Sequence, residues 1–366
     1  MGKPNINYIG YPGHGNLGDD ALFQANQKIF REYQLIPDNQ IQYSKITLFG
    51  GGTVLPHFSY IVVPNQYNYA YGVGVRNPRF WKHFQPNFHP SLMINRVKKF
   101  NFRLLGVRDK ASENMLKSWG MNSTVIGDPC LILEPTSYNN KLDRSKIAVN
   151  VGSDGIGWGK SDERVDVEVA KLITMLKEEG YYPILVPFWF KNLSRIEKIA
   201  QITNVPVFKE WKNTQSVLNF ISSCYVTIGE KLHSIIFSSA AHVPFISLEY
   251  RPKCYYFAEL MGFQDYCVRT DTLNHNELMM IFRNLSDNWD ERRGQLIEKV
   301  RKCRKDLRDF AQEIKKDIEH LPEKKWSVTS SQRIECLVHQ YALKSYLFIQ
   351  ENEKRKQRKH MQNLRN

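Results

Sequence analysis

The chain has 366 residues, 42% of them apolar and 24% charged, with a formal net charge of +14. At roughly 100–200 residues per domain this length suits two domains, and ordinary globular composition excludes a disordered or fibrous chain. The positive excess favours anionic partners, whether nucleic acid, an acidic membrane face, phosphorylated metabolites or lipid-linked sugars, without choosing among them.

Along the chain, short β-rich runs alternate with helical periodicity, the pattern of parallel α/β sheets. In the first half strands are expected at 5–10, 45–49, 59–63, 71–75, 102–107 and 123–126, with helices over 19–33, 90–100 and 109–119. The polar, turn-rich segment 134–145 reads as a linker. A second series follows, with strands at 146–151, 182–187, 225–228 and 244–248. Its helices fall at 163–179, 191–203, 214–222 and 230–241, with another from 252. The expectation is therefore two doubly wound α/β units in tandem, 1–140 and 146–286, and a charged helical C-terminal extension over 287–366 whose end, 351–366, frays.

Cys130, Cys224, Cys254, Cys267, Cys303 and Cys336 form no CxxC pair and adjoin no histidine cluster, so neither a zinc site nor a disulfide framework is expected. Reduced thiols in a cytoplasmic protein fit that spacing. The amino terminus runs straight towards a strand without an apolar signal core, and no run of about 18 apolar residues is present. Sequons at Asn122, Asn192 and Asn284 are then chance occurrences.

In open α/β sheets ligands sit beyond the carboxyl ends of strands, so the segments after each strand carry the functional reading. The first strand runs into a glycine-rich loop, Gly10 to Asp20, whose spacing is not that of a nicotinamide fingerprint. Asn16 and Asp19 suit sugar hydroxyls, and Asp20 suits a helix cap. The second strand ends in Gly50-Gly51-Gly52-Thr53. A tight turn needs one glycine, so three in a row point to backbone presented to a substrate. Arg108-Asp109 suits bidentate capture of a carboxylate or phosphate, or equally a salt bridge with Asp109 as cap. Gly127-Asp128-Pro129 reads as a turn. Lys231, His233 and Lys253 follow two adjacent strands, and together they predict an anion pocket at helix amino termini with a titratable group inside it.

Six segments in this order resemble the polysaccharide pyruvyl transferase family. They are GNLGDDAL (15–22), GGGTVL (50–55), GVRDKAS (106–112), DPCLIL (128–133), EKLHSIIF (230–237) and YRPK (250–253). The resemblance implies two Rossmann-like domains arranged as in glycosyltransferases of the B type. It implies phosphoenolpyruvate as donor and, as acceptor, a sugar of a bacterial-type polysaccharide (exopolysaccharide or capsule) or its lipid-linked precursor. The family's Arg-Asp motif falls on Arg108 and Asp109, its Arg-Leu-His motif on Lys231, Leu232 and His233, and its later lysine on Lys253. Lys231 stands where the family has arginine, and the stretch between the first glycine loop and Gly50 is shorter than in many members.

The chemistry so implied needs one general acid and cations for a carboxylate and a phosphate. His233 is the expected acid; Arg108, Lys231 and Lys253 hold the donor; Asn16, Asp19, Gly51, Gly52 and Thr53 face the acceptor. No metal or cofactor is called for, and phosphoenolpyruvate enters as a co-substrate. Alternatives are a nucleotide-sugar glycosyltransferase on the same architecture and a non-catalytic relative that senses a sugar or phosphate. Nucleic acid is not an expected partner, because aromatic residues do not interleave with the basic clusters. The apolar run 337–349 and the basic residues after it suit peripheral contact with the inner face of a membrane, or else a docked helix with a solvated end.

Overall fold

The computed structural model describes residues 3–37, 44–55, 67–84, 89–136, 142–153, 155, 157–158 and 162–322. The strand expected at 59–63 and the tail with its 337–349 and 351–366 segments lie outside the described residues.

The first half contains strands β1 (Asn5–Ile9), β2 (Gln34–Pro37), β3 (Ile46–Phe49), β4 (Gly52–Leu55), β5 (Tyr67–Val75), β6 (Phe102–Val107) and β7 (Thr124–Val125). Helices α1 (Leu17–Ile29), α2 (Pro78–Phe84), α3 (Pro90–Lys99) and α4 (Lys110–Ser118) connect them. All pairings are parallel, in the order β2-β1-β3-β5-β6-β7, with β4 also against β5. Apolar residues Leu17, Ala21, Leu22 and Ala25 give α1 one buried stripe, which holds it on the sheet.

The second half contains β8 (Asp143–Asn150), β9 (Tyr182–Leu185), β10 (Cys224–Gly229), β11 (Phe245–Glu249) and β12 (Cys267–Arg269), again all parallel, in the order β12-β11-β10-β8-β9. Its helices are α5 (Asp162–Glu178), α6 (Leu193–Thr203), α7 (Thr214–Ser222), α8 (Leu232–Ala240), α9 (Pro252–Met261), α10 (His275–Asp287) and α11 (Trp289–Glu319). The expected α/β class with parallel sheets and a helical carboxyl-terminal region is observed. Strands β2, β4 and β12 and helices α2 and α10 add to the expected set. Strand β8 starts at Asp143, inside the segment read as a linker, of which 137–141 lie outside the described residues.

Each sheet reverses its winding once, between β1 and β3 in the first and between β8 and β10 in the second. These are the switch points where loops diverge and leave a crevice. The two crevices face each other. Backbone bonds across the seam fix them there, from Leu17 N–H to Phe188 O at 3.0 Å and from Phe190 N–H to Gly15 O at 3.3 Å.

One apolar core runs through both halves, from Ile6, Leu48 and Tyr71 to Val149, Ile228 and Leu248. A second core lies on the other face of the first sheet, under α2, α3 and α4. Helix α11, about 46 Å long at 1.5 Å per residue, ties the halves together. Its buried stripe includes Leu296, Val300, Leu307, Phe310 and Ile314. The Trp289 indole donates to Tyr225 O at 2.8 Å in the second half, and the Tyr71 hydroxyl of the first half donates to Leu307 O at 2.9 Å. Arg304 donates to Leu131 O at 2.7 Å and to Ala240 O at 2.9 Å.

Leu307 is fully buried. Leu307→Ala should cost about 2–5 kcal/mol in urea unfolding; a loss below about 1 kcal/mol would show that α11 is peripheral to the core.

Candidate active site

A cavity of about 200 Å³ opens where the two switch points meet. Its lining contains all nine residues singled out from sequence: Asn16, Asp19, Gly51, Gly52, Thr53, Arg108, Lys231, His233 and Lys253. Each stands at or just beyond the carboxyl end of a strand, in or beside the first turn of α1, α4, α8 or α9, or at the β3–β4 junction.

In the first loop, Asn16 is the cap of α1, accepting from Gly18 N–H at 3.2 Å while its amide donates to Asp19 at 2.7 Å. Asp20, expected as the cap, instead accepts from Gly13 N–H at 2.6 Å and closes the loop on itself. Asp19 is thereby turned into the cavity. Gly18 is required by contact: a Cβ there would lie 2.1 Å from Nδ1 of His233. The histidine ring therefore packs directly against the backbone of α1.

The glycine triplet differs from the expectation. The chain does not loop away after β3; it kinks and resumes as β4, both strands lying along β5. A Cβ at Gly50 would strike the Tyr8 ring at 1.9 Å, and Gly51 and Gly52 have φ of +98° and +71°. Packing and backbone conformation thus demand each glycine without reference to a ligand. Gly51, Gly52 and Thr53 line the cavity all the same.

Of the two readings of Arg108, the salt bridge with Asp109 as cap is observed, and Arg108 also lines the cavity. Asp109 caps α4, accepting from Ser112 N–H at 2.8 Å, and pairs with Arg108 at 3.3 Å. Arg108 is buried against β5, where a Cβ at Gly74 would fall 2.5 Å from its Nη2, and Asp128 lies 3.7 Å from Nη1. Asp128, read as a turn residue, is therefore part of the site.

In the second half the backbone of the β10–α8 turn is pinned. Asn150 Oδ1 accepts from Lys231 N–H at 2.9 Å, and buried Glu230 accepts from Gly152 N–H at 2.7 Å and pairs with Arg195 at 3.1 Å. These bonds aim Lys231 and His233 at the cavity. Lys231 Nζ stands 4.3 Å from the Trp189 ring centroid, and Lys253 Nζ 5.0 Å from that of Tyr250. Neither Lys231 nor Arg251 caps its own helix through its side chain, and α8 and α9 both begin beside the cavity, where their dipoles favour an anion.

Burial, with Lys253, Arg108 and Lys231 nearby, pushes the His233 pKa well below its usual value. Its Nε2 is fully enclosed although the residue as a whole is only partly buried. Burial raises Asp19 to about 6 against the opposing pull of Lys231 and Lys253. Nε2 of His233 is buried without a hydrogen-bond partner among the described residues, and Oδ2 of Asp128 and Nη1 of Arg108 face each other as an ion pair at 3.7 Å with no hydrogen bond of their own. An orphan such as Nε2 costs about 1–3 kcal/mol unless something satisfies it, which marks the spot as one built to receive polar atoms.

Ligand atoms of Asp128, Cys130 and His233 lie within 4.8 Å of one another, a potential metal donor set. The local field opposes a divalent ion. Arg108 already supplies the positive charge beside Asp128, and burial followed by Asp128 holds the Cys130 thiol well above its usual pKa, where it is a poor ligand.

Sequence reasoning passed over Arg76, Tyr250, Tyr8 and Asp128, all in or beside this cavity. Arg76 directly follows β5, so the rule that selected Arg108 selects it too. Tyr8 points inward from mid-strand and carries no such signal.

The family profile described as Polysaccharide pyruvyl transferase matches residues 16–252. The chain belongs to this family. The matched stretch runs from the cap of α1 to the first residue of α9 and holds every candidate residue except Lys253, which follows it directly. Among solved structures, the chain is similar to a putative UDP-N-acetylglucosamine 2-epimerase from Listeria monocytogenes, at 10% identity over 90% of this chain and 100% of that one, with a TM-score of 0.54. It is also similar to MnaA of S. aureus (12% identity, 89% and 100% covered, TM-score 0.53) and to the wall teichoic acid polymerase TagF (13%, 87% and 89%, 0.51). These likenesses establish a glycosyltransferase-B-like fold. A search of curated proteins gives no match.

Imidazole resonances should show His233 neutral through the neutral range, titrating far below the usual 6.5 or so. Lys253→Met removes a like charge and should move that titration upward. An ordinary histidine titration in the unmutated chain, or no shift in the variant, would contradict this electrostatic account.

Proposed function

We propose that this chain transfers pyruvate from phosphoenolpyruvate to a sugar of a polysaccharide or its lipid-linked precursor, forming a cyclic ketal. The observation that carries the reading is the convergence of Arg108, Lys231 and Lys253 and two helix amino termini on one enclosed imidazole. Phosphoenolpyruvate carries a carboxylate and a phosphate on three carbons. The cationic cavity of about 200 Å³ lies below the range of about 300–1,000 Å³ for sites of drug-sized ligands, which suits so compact a donor.

In this reading the cations hold the carboxylate and phosphate while His233 donates a proton to the methylene carbon. An acceptor hydroxyl adds to C2, forming a C–O bond and giving up its proton. Phosphate then leaves with the C–O electron pair, and a second hydroxyl closes the ring. Of the two protons lost by the acceptor, one replaces that delivered to carbon and the other leaves on phosphate, so the sum is donor plus diol to ketal plus hydrogen phosphate. Asp19, with a pKa of about 6, is placed to take the hydroxyl proton, and Asn16 orients it. Thr53 and the backbone of Gly51 and Gly52 face the acceptor. Positive charge comes from the side chains, and the scheme calls for no resident metal or cofactor. Lys231 contributes charge without the guanidinium fork.

Among the described residues no helix is long and apolar enough to cross a membrane. Contact with the inner face of a membrane through the basic tail is part of the proposal, and the tail is outside the described residues.

The test is turnover. With phosphoenolpyruvate and a panel of lipid-linked saccharides, inorganic phosphate should appear only when both substrates are present, and the saccharide should gain one pyruvate less one water. Release of nucleoside diphosphate from a nucleotide sugar, with phosphoenolpyruvate inert, would overturn the reading in favour of glycosyl transfer. His233→Gln should lower kcat by about 10²–10⁴-fold with donor KM little changed. A folded variant within a few-fold of the unmutated rate would remove His233 from the chemistry.

A further inference from the structure

Beyond the cationic cavity the cleft continues, and its character changes. A small cavity adjoins it, sharing Thr53, Arg76 and Lys253 with it. That cavity in turn shares Asn77, Phe80, Pro252 and Tyr256 with a third of about 380 Å³. The three cavities adjoin one another in series from the His233 side outwards, each lined by residues of both halves.

The outer cavity is walled by rings from both sides of the cleft: Phe80 from α2, Tyr255 and Tyr256 from α9, and Trp158 from the segment after β8. Phe80 meets Trp158 edge-on at 4.8 Å and 87°. Trp158 is fixed by its backbone N–H to Tyr250 O at 2.7 Å, by its indole N–H to Glu249 at 2.8 Å, and by Arg269 lying 4.1 Å over the ring. Asn77 donates to the Tyr256 hydroxyl at 2.5 Å, joining the two halves at this point. Tyr255 stays 37% exposed, an aromatic ring at the rim of a concave surface. Polar groups are set among the rings: the Asn77 amide, Arg79, His83 and the buried Glu249 carboxyl, which burial raises to about 7 so that near neutrality it both donates and accepts.

We propose that this aromatic cavity binds a sugar ring of the saccharide acceptor, one or more residues away from the sugar that reacts beside His233. A pyranose has apolar C–H faces and a rim of hydroxyls. The faces match rings whose electron-rich surfaces attract C–H groups, and the hydroxyls match Asn77 and Glu249. Asn77 and Glu249 each already have a partner within the protein, the Tyr256 hydroxyl and the Trp158 indole, and an aliphatic chain would offer nothing to their remaining polar capacity. Fixed rings spanning both halves supply a preformed surface, which limits the ordering cost of binding. The inference rests on the acceptor being a saccharide, as in the proposed function, but not on the identity of the donor.

The probes are glucose, galactose and N-acetylglucosamine oligomers, from mono- to tetrasaccharide, followed by tryptophan fluorescence of the full chain. In at least one series affinity should rise about tenfold with length, the order expected for one added aromatic stack. Tyr255→Ala should abolish that gain, Tyr255→Phe should keep it, and calorimetric binding of phosphoenolpyruvate should be unchanged in both. The subsite is overturned if no series shows length-dependent binding, if Tyr255→Ala binds as the unmutated chain does, or if UMP or CMP outcompetes every saccharide in a Tyr255-dependent way. Failure of phosphoenolpyruvate to bind while the saccharide effects persist would instead sink the proposed donor and leave the subsite standing.

Discussion

The site depends on gathering like charge around a group that must remain uncharged until something arrives. Arg108, Lys231 and Lys253 all press the His233 pKa downward, and burial acts in the same sense and more strongly. Arg108, Lys231 and Lys253 would oppose an imidazolium there, whereas the buried Asp128 carboxyl, within 4.8 Å and itself paired with Arg108, and an incoming carboxylate or phosphate would favour it. The arrangement therefore couples two events, occupation by an anion and protonation of the ring, because each lowers the free energy of the other. Placing cations together has a cost in the empty chain. It is moderated by Asp109 and Asp128 beside Arg108 and by Asp19 facing the lysines.

Much of the surrounding structure serves to hold that geometry. The Lys231 backbone is fixed by Asn150, itself anchored by its amide to Val186 O at 2.8 Å across the sheet, so the β10–α8 turn cannot relax away from the cleft. The imidazole is braced from the opposite half by Gly18, where only a hydrogen fits. That contact makes the geometry of the cavity depend on how the halves meet, and hence on the seam bonds and on α11. A helix of mixed charge at the end of the sequence thus helps to set the distance between residues near its beginning and its middle.

The parallel sheets and the order of loops were legible because apolar runs alternate with helical spacing and because the strand-end rule is strict in such folds. It collected Asn16, Asp19, Arg108, Lys231, His233 and Lys253 into one cavity. Short strands escaped it: β2 and β4 have four residues each, and β4 hides behind glycines that read as a loop. The triplet was assigned to substrate because sequence carries no trace of the Tyr8 ring that excludes a side chain at Gly50. The region of α11 read only as charged and helical, because its apolar stripe is diluted by charge; the stripe is visible at three- and four-residue spacing through Leu296, Val300, Cys303, Leu307, Phe310 and Ile314. Asp128 and Glu249 were missed because their roles arise from long-range contacts, with Arg108 and with Trp158.

The chain is a member of a transferase family, that of the polysaccharide pyruvyl transferases, and the electrostatics of the cleft support the proposed coupling of anion binding to protonation. Calorimetry of phosphoenolpyruvate binding at neutral pH, in buffers of differing ionisation enthalpy, measures the coupling itself. The account predicts net proton uptake by the complex, weaker binding as pH rises, and loss of His233's share of that uptake in His233→Gln. Binding without proton uptake, or uptake unchanged by His233→Gln, would contradict it.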